Sequence, residues 1–479
     1  MKYKEITAIF ILFLLFVIFN NSYTGHAYKK TSEQVIVKNV ELSDSITATI
    51  YTAENWQRVF FQTTSVINYN ALQLTAAIPQ NNTAFAPLES CSTPRLITPT
   101  TQSTIIQEFP HVNGRYVVWF EINNLTLIDP FRVMGYDLGP DHRFSTVDDV
   151  GLVNLTNFSI HVGFLSGAGN SNYPRVNKNG LVAFIKGILL NQTTGHYEVQ
   201  LVTCDFNSCQ NTTNIIDSFS SSYYGPFPMQ NGQFVWHDIN DDLLTVSKSD
   251  FVAGTTSVVL YNLTSGTQQI ITQGPAPTFL NYIAFFDLYV DDNGLISWQK
   301  VYGSLNINYD IFINLPNTVN PILINSQQPL LTSGFPLFGI VESSSAYKFG
   351  QRVIVPYSAP DSNNLYLDLK YRTYTNNVSS QMQITNNDDM HQLYPRLTFH
   401  SGLNNLFLVF TSLNLGSSYL KTMVYHNISN SFLEYSRIDP PPGWYGMYES
   451  EISNFNIVSL ARSQGTIPTL WRNVITECL

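Results

Sequence analysis

Pro110-His-Val-Asn-Gly-Arg-Tyr-Val-Val-Trp-Phe120 is the stretch whose reading decides how this chain folds. It opens on proline, passes through Asn-Gly, and ends in a run of β-branched and aromatic residues. Asn-Gly supplies the positive backbone angles that a tight hairpin turn needs. The run Tyr116 to Phe120 is apolar at every position rather than at alternate ones, which suits a strand buried on both faces. The phrase recurs clearly at Pro174 to Phe184 (PRVNKNGLVAF) and Pro228 to Trp236 (PMQNGQFVW). Looser copies run from Pro277 to Phe286, from Asp292 to Trp298 and, with an insertion, from Pro395 to Phe410. Repetition of this kind signals a repetitive all-β architecture.

The Asn-Gly pairs at 113–114, 179–180, 231–232 and 293–294 lie 66, 52 and 62 residues apart. Four-stranded blades with long loops accommodate that spacing. Val258 to Thr272 (VVLYNLTSGTQQIIT) reads as the end of a unit: strand, Ser-Gly turn, strand. The expected fold is an all-β β-propeller of about seven four-stranded blades, with six or eight as the neighbouring counts. Approximate units are 40–98, 108–160, 170–222, 224–274, 276–328, 331–389 and 391–435, with 446–475 as a closing segment. If that segment completes the first unit, an open sheet edge is removed. A Cys91–Cys478 bridge would staple the closure.

With 479 residues, 44% hydrophobic and 13% aromatic, the chain can bury a large core and is not of disordered composition. Only 12% of it is charged; the net charge is −10 and the pI about 5.3. No Lys/Arg cluster is present, which argues against a nucleic-acid partner. Residues 1–27 read as a signal peptide: Lys2 and Lys4, the apolar run Ala8 to Phe19, then Gly25-His26-Ala27. As a helix, that run spans roughly 18 Å against a hydrocarbon core of roughly 30 Å, which favours cleavage over a retained anchor. Residues 28–39 form a leader, and no later segment reaches membrane-spanning length.

The expected location is therefore secreted or cell-surface. Nine glycosylation sequons after the signal peptide agree with export: Asn81, Asn124, Asn154, Asn157, Asn191, Asn211, Asn262, Asn377 and Asn427. The four cysteines form an even set. Cys204 and Cys209 flank a hairpin tip and suit a local disulfide, which leaves Cys91 with Cys478. Zinc is the alternative, although the spacings match no usual ligand pattern.

The phrases PHVNGRYVVWFE (Pro110–Glu121), PMQNGQFVWHD (Pro228–Asp238) and VVLYNLTSGTQQIIT resemble the TolB-like β-propeller repeat of secreted and cell-surface proteins. The chain departs from that pattern where Lys186 takes the place of an acidic residue, and where the Pro277 unit lacks its glycine. The resemblance implies a propeller and an extracytoplasmic setting. It implies no reaction, since fold does not fix function.

Asp137 to Asp149 (DLGPDHRFSTVDD) is the sharpest polar constellation. Asp137, Asp141, Asp148 and Asp149 could offer hard oxygen ligands to Ca²⁺. The stretch resembles an acidic loop of surface proteins in which His142 and Ser145 here replace two glycines. The competing reading is a hairpin whose carboxylates accept backbone N–H groups. His237-Asp238 reads as structural, because strand neighbours point to opposite faces; Asp238 would cap a turn. Trp444, Tyr445 and Tyr448, near Pro441-Pro442-Gly443, are candidate sugar-stacking rings. No nucleophile elbow, zinc-protease helix, phosphate loop or Cys-x-x-Cys pair occurs.

These features read as a binding or structural module for extracellular protein or glycan rather than an enzyme. One alternative is an extracellular carbohydrate-active hydrolase or lyase using carboxylates near a central channel. Another is a cell-envelope assembly subunit.

Overall fold

The computed structural model describes residues 36–43, 46–53, 56–63, 91–98, 105–123, 132–156, 174–191, 196–222, 232–277, 282–291, 293–303, 307–316, 318, 320–327, 331–332, 335–336, 345–360, 366–375, 378–384, 390–413, 418–426, 430–463 and 471–478. The signal peptide, most of the leader and the sequons Asn81, Asn124, Asn157, Asn377 and Asn427 lie outside them. The chain divides into two compact units, Met1–Leu88 and Glu89–Leu479. Three antiparallel strands, Ile36–Ser43, Ile46–Ala53 and Trp56–Thr63, form the sheet of the first unit.

The second unit is a succession of four-stranded antiparallel sheets resembling propeller blades. Sheet one holds Ile105–Asn113, Tyr116–Asn123, Arg132–Asp137 and Gly151–Asn154; sheet two holds Arg175–Val176, Leu181–Asn191, His196–Asp205 and Asn214–Ser222. Sheet three holds Gly232–Asn240, Leu243–Asp250, Thr255–Asn262 and Thr267–Pro275; sheet four holds Tyr282–Val290, Ile296–Gly303, Ile307–Asn314 and Ile322–Gln327. Sheet five holds Tyr347–Phe349, Arg352–Pro360, Leu367–Thr375 and Val378–Gln383; sheet six holds His391–His400, Asn405–Leu413, Ser418–His426 and Ser431–Ile438. Sheet seven, joined to sheet six by one parallel pairing at Ser418 and Gly446, holds Trp444–Ser453, Asn456–Ser463 and Trp471–Glu477. Its fourth strand is Arg95–Leu96, from the other end of the unit.

The stretch expected to form one unit over 40–98 is thus divided. Its early strands pair among themselves, and Arg95–Leu96 pairs with the C-terminal strand. Around that seam Ser92 N–H donates to Glu477 O (2.7 Å) and Ile97 N–H to Asn473 O (3.1 Å). Arg95 meets Glu477 at 2.7 Å, and Cys91 is disulfide-bonded to Cys478. Cys204 is bonded to Cys209 at the tip of sheet two.

The turn from first to second strand carries a left-handed residue in all seven sheets: Gly114, Gly180, Asp241, Gly294, Gly350, Asn404 and Asn454. Asn and Asp tolerate this conformation best among residues with a Cβ. The seven positions are spaced by 50 to 66 residues. Pro110–Phe120 and Pro174–Phe184 have this phasing, with the apolar run as second strand. Pro228–Trp236 does not, because its apolar run lies in the first strand of sheet three. First and second strands are both buried on two faces, so an apolar run alone cannot tell them apart.

Alternation then divides each second strand between two neighbours. In sheet one, Val118 and Phe120 pack with Val182, Phe184 and Leu201 of sheet two. Val117 and Trp119 pack instead with Val458 and Ile475 of sheet seven. Further apolar layers join sheets three and four (Val258, Phe285, Trp298), four and five (Ile311, Val353, Tyr357), five and six (Leu369, Tyr371, Phe410), and six and seven (Phe407, Met447, Val474). Fully burying one such side chain contributes about 1.5–3 kcal/mol.

The fourth strands of sheets two, three, four and six each carry a register shift that tucks Ile216, Ile271, Ile324 or Tyr435 out of the ladder. Such bulges blunt an edge that would otherwise template pairing with another chain.

Candidate functional site

The first strands of sheets one, four, six and seven are also interrupted, at Glu108/His111, Phe286/Tyr289, Leu393/Arg396 and Tyr448/Glu451. Each interruption contains a non-glycine residue at positive φ: Phe109 (53°), Asp287 (48°), Tyr394 (53°) and Glu449 (44°). Bulges re-aim the residues that follow them, and each left-handed non-glycine costs on the order of 1–3 kcal/mol. In sheets one and six the next residue is Pro110 or Pro395, which lacks a ladder donor and so fits a bulge. Two residues beyond each strained position stand His111, Tyr289, Arg396 and Glu451. Arg175, likewise preceded by a proline, comes from sheet two, and Asp238 from sheet three.

These side chains form one buried cluster. Arg175 Nη1 and Arg396 Nε both donate to Glu451 Oε1, at 3.0 and 3.2 Å. The carboxylate of Asp238 lies 4.0 Å from Arg175 Nε and 3.9 Å from His111 Nε2, and accepts the Val290 N–H at 2.9 Å. Val176 N–H donates to His111 Nδ1 at 3.2 Å, which places the imidazole proton on Nε2, facing Asp238. The guanidinium of Arg396 covers the Tyr289 ring at 4.6 Å, and the Tyr289 hydroxyl is buried without a hydrogen-bond partner.

Burial dominates the protonation of this cluster. Glu449 is pushed up to about 8, first by desolvation and then by Glu108 and Glu451, against the opposing pull of Arg396 and Arg175. Asp238 is pushed up to about 7 by burial, with Arg175 and the Val290 N–H opposing. His111 is held well below its ordinary value by burial and by Arg175, and burial pushes the Tyr289 phenol up. A carboxyl raised to about 8 favours its protonated form at neutral pH, and Glu449 stands two residues along the strand from the Glu451 carboxylate held by two guanidiniums. Perturbed acids gather in this way both at sites of proton transfer and in structural ion-pair networks.

The residues singled out in the sequence fall elsewhere, except Asp238. It belongs to the cluster, and bonds the backbone of sheet four rather than capping a turn. Its neighbour His237 turns away, Nε2 to Ala183 O at 3.2 Å, and burial lowers it to about 3. Trp444, Tyr445 and Tyr448 lie on the strand that carries Glu449 and Glu451, not in a loop, and all three are half-buried. Tyr448 meets Trp471 edge-on at 5.4 Å, and Arg462 lies over Tyr445 at 5.9 Å.

In the acidic loop, Asp141, Asp148 and Asp149 bring ligand oxygens within 4.8 Å of one another, a group that could coordinate a divalent cation. The Thr146 hydroxyl stands between Asp148 Oδ1 (2.6 Å) and Asp149 Oδ1 (2.8 Å). Asp137 is not part of this group: it pairs with Arg115 at 3.2 Å and accepts the Gly139 N–H at 2.9 Å. His142 and Ser145, the two glycine replacements, both adopt positive φ, 60° and 66°. Among the sequons with described side chains, Asn211 is exposed, while Asn154 and Asn262 are half-buried.

No protein-family model matches the chain, and no curated protein matches it. Solved structures similar to it include the β-propeller domain of the Trilobed protease from Pyrococcus furiosus: 13% identity over 78% of this chain and 95% of that one, TM-score 0.46. A puromycin-hydrolyzing peptidase of Mycobacterium tuberculosis shares 10% identity over 79% of this chain and 53% of its own, TM-score 0.45. An oligogalacturonate lyase from Vibrio parahaemolyticus shares 9% over 71% of this chain and 99% of its own, TM-score 0.37. The chain thus spans about half the length of the peptidase. The likeness is a distant one to β-propeller proteins and is not specific to the TolB-like kind.

The expectation of a module rather than an enzyme is corrected. Among the described residues carboxylates gather in two places, the buried cluster and the acidic loop.

Proposed function

We propose that residues 89–479 close into a seven-bladed β-propeller of the TolB-like kind, preceded by a signal peptide over residues 1–27. We further propose that the protein is an extracellular carbohydrate-active hydrolase or lyase working at the central cluster. Hydrolysis and elimination of a glycosidic bond both require a proton on the leaving oxygen. The carrying observation is the Glu451 carboxylate gripped by Arg175 and Arg396, two residues along the strand from Glu449, whose carboxyl is pushed up to about 8. In this reading Glu449 is the general acid, and Glu451 is the carboxylate that activates water or accepts the substrate's proton. Trp444, Tyr445 and Tyr448 on the same strand offer ring faces to a sugar. Ca²⁺ at Asp141, Asp148 and Asp149 would neutralise an acidic loop that touches the closing seam, where Phe144 N–H donates to Glu477 Oε1 at 2.8 Å. The bulged outer strands favour this reading over assembly through exposed sheet edges.

The test is release of reducing ends from a panel of soluble neutral and acidic polysaccharides. The wild type should cleave at least one, and Glu449→Gln should lose on the order of 100-fold or more. Equal rates for the two proteins, or no cleavage of any polysaccharide by the wild type, would refute the assignment.

A further inference from the structure

We propose that Asn211 and Asn262 carry N-linked glycans, and that these sugars shield the open edges of sheets two and three. The inference rests on the proposed export of the chain and is independent of any catalysis at the centre.

The fourth strands share a second feature besides their bulges. Leu152, Ile215, Ile270, Leu323 and Leu433, on the fourth strands of sheets one, two, three, four and six, each leave more than half of their surface in water. An aliphatic side chain on an unpaired edge invites pairing with another chain, and a bulky, hydrophilic cover opposes it.

Sequons stand at these edges. Asn211 lies in the turn that leads into the fourth strand of sheet two, just before Ile215, and Asn262 opens the corresponding turn of sheet three, ahead of Ile270. Between the third and fourth strands of sheets five and six the sequence places two more, Asn377 and Asn427. Asn211 is exposed. Asn262 Oδ1 accepts the Ser265 N–H at 2.9 Å, and its Nδ2, the atom a sugar would take, has no hydrogen bond among the described residues. Asn154 offers the contrast: its Oδ1 is buried without a partner, and Thr156 of the same sequon is buried, its hydroxyl accepting the Val133 N–H at 2.8 Å. In the transfer, the asparagine amide nitrogen attacks the anomeric carbon of a lipid-linked oligosaccharide. The N–C bond forms, the lipid phosphate departs with the electrons of the broken C–O bond, and the amide gives up one proton.

Peptide mapping by mass spectrometry, on the chain purified from the medium or envelope of its native host, tests the assignment and reports the mature N-terminus. The Asn211 and Asn262 peptides should carry the mass of a glycan, lost in Asn211→Gln and Asn262→Gln, and the Asn154 peptide should not. Bare Asn211 and Asn262 on a chain cleaved near residue 27 would overturn this proposal alone. Bare sites on a chain that keeps residues 1–27 would overturn export with it, and equal modification of Asn154 would overturn the choice of sites. Sedimentation tests the shielding. The double variant Asn211→Gln/Asn262→Gln should self-associate several-fold more than the wild type, and adding Ile215→Thr and Ile270→Thr should restore wild-type behaviour. A double variant as monomeric as the wild type, or one that the threonines fail to rescue, would overturn the shielding role.

Discussion

The disulfide between Cys91 and Cys478 spans 387 residues of sequence, whereas that between Cys204 and Cys209 spans 5. In the chain-entropy account, a cross-link stabilises by restricting the unfolded ensemble, and its effect grows with the logarithm of the loop it closes. The long bridge is then worth about 6 kcal/mol at 25 °C and the short one about 2 kcal/mol, a difference of about 4 kcal/mol. Position adds to this. Besides its disulfide, the seam joining sheet seven to Arg95–Leu96 has a two-residue pairing, a few flanking backbone bonds, the Arg95–Glu477 ion pair, the Glu477 N–H donated to Ser92 Oγ, and apolar contacts of Leu96 and Ile97. The two double variants, Cys91→Ala/Cys478→Ala and Cys204→Ala/Cys209→Ala, would be unfolded in guanidinium chloride beside the wild type. The first should lose several kcal/mol more than the second. Its backbone amides at Ile97 and Cys478 should also exchange with deuterium well before those of sheet three. Equal losses, or full protection of the seam without its bridge, would refute the view that this covalent link holds the ends together.

Three further outcomes follow from named side chains. Glu449, raised from 4.5 to about 8, binds its proton more tightly in the folded state, so its contribution to stability is greatest in acid. That contribution should decline as pH rises between those two values, and a Glu449→Gln variant should show a flatter stability profile over the same range. His142→Gly and Ser145→Gly relieve left-handed strain and should each raise stability by up to about 1 kcal/mol, read from denaturation midpoints. Adding millimolar Ca²⁺ after chelation should raise the melting temperature of the wild type, but not of a variant with Asp141, Asp148 and Asp149 changed to Asn.

Much of the architecture is legible in the sequence because its devices are local. A buried two-faced strand needs a continuous apolar run, and the hairpin before it needs a residue that accepts positive φ. Where that residue is glycine, as at Gly114, Gly180 and Gly294, the turn is easily read. Where it is Asp241, Asn404 or Asn454, the signal is weaker, which is how Pro228–Trp236 came to look like a copy in phase when it is not. The central cluster is hidden for a different reason. Its members come from six sheets and are hundreds of residues apart, so no spacing rule unites them. One trace does survive: His111, Arg175 and Arg396 each directly follow a proline of the repeated phrase or its neighbour. A bulge tolerates such a proline, and a charged residue immediately after it in a strand buried on both faces calls for explanation. Glu449 and Glu451 carry no such mark, and only the fold brings them to the arginines.

The account depends on a carboxyl at Glu449 that keeps its proton at neutral pH in the company of Glu451, Arg175 and Arg396. Infrared difference spectroscopy of the protein in heavy water, titrated from acid to alkali, observes that proton directly. A protonated carboxyl band should persist at neutral pH; its component with a midpoint near 8 should be absent from Glu449→Gln, while a component from Asp238 with a midpoint near 7 remains. A wild-type spectrum in which every carboxyl has ionised well below neutrality would contradict the proposed chemistry of the centre.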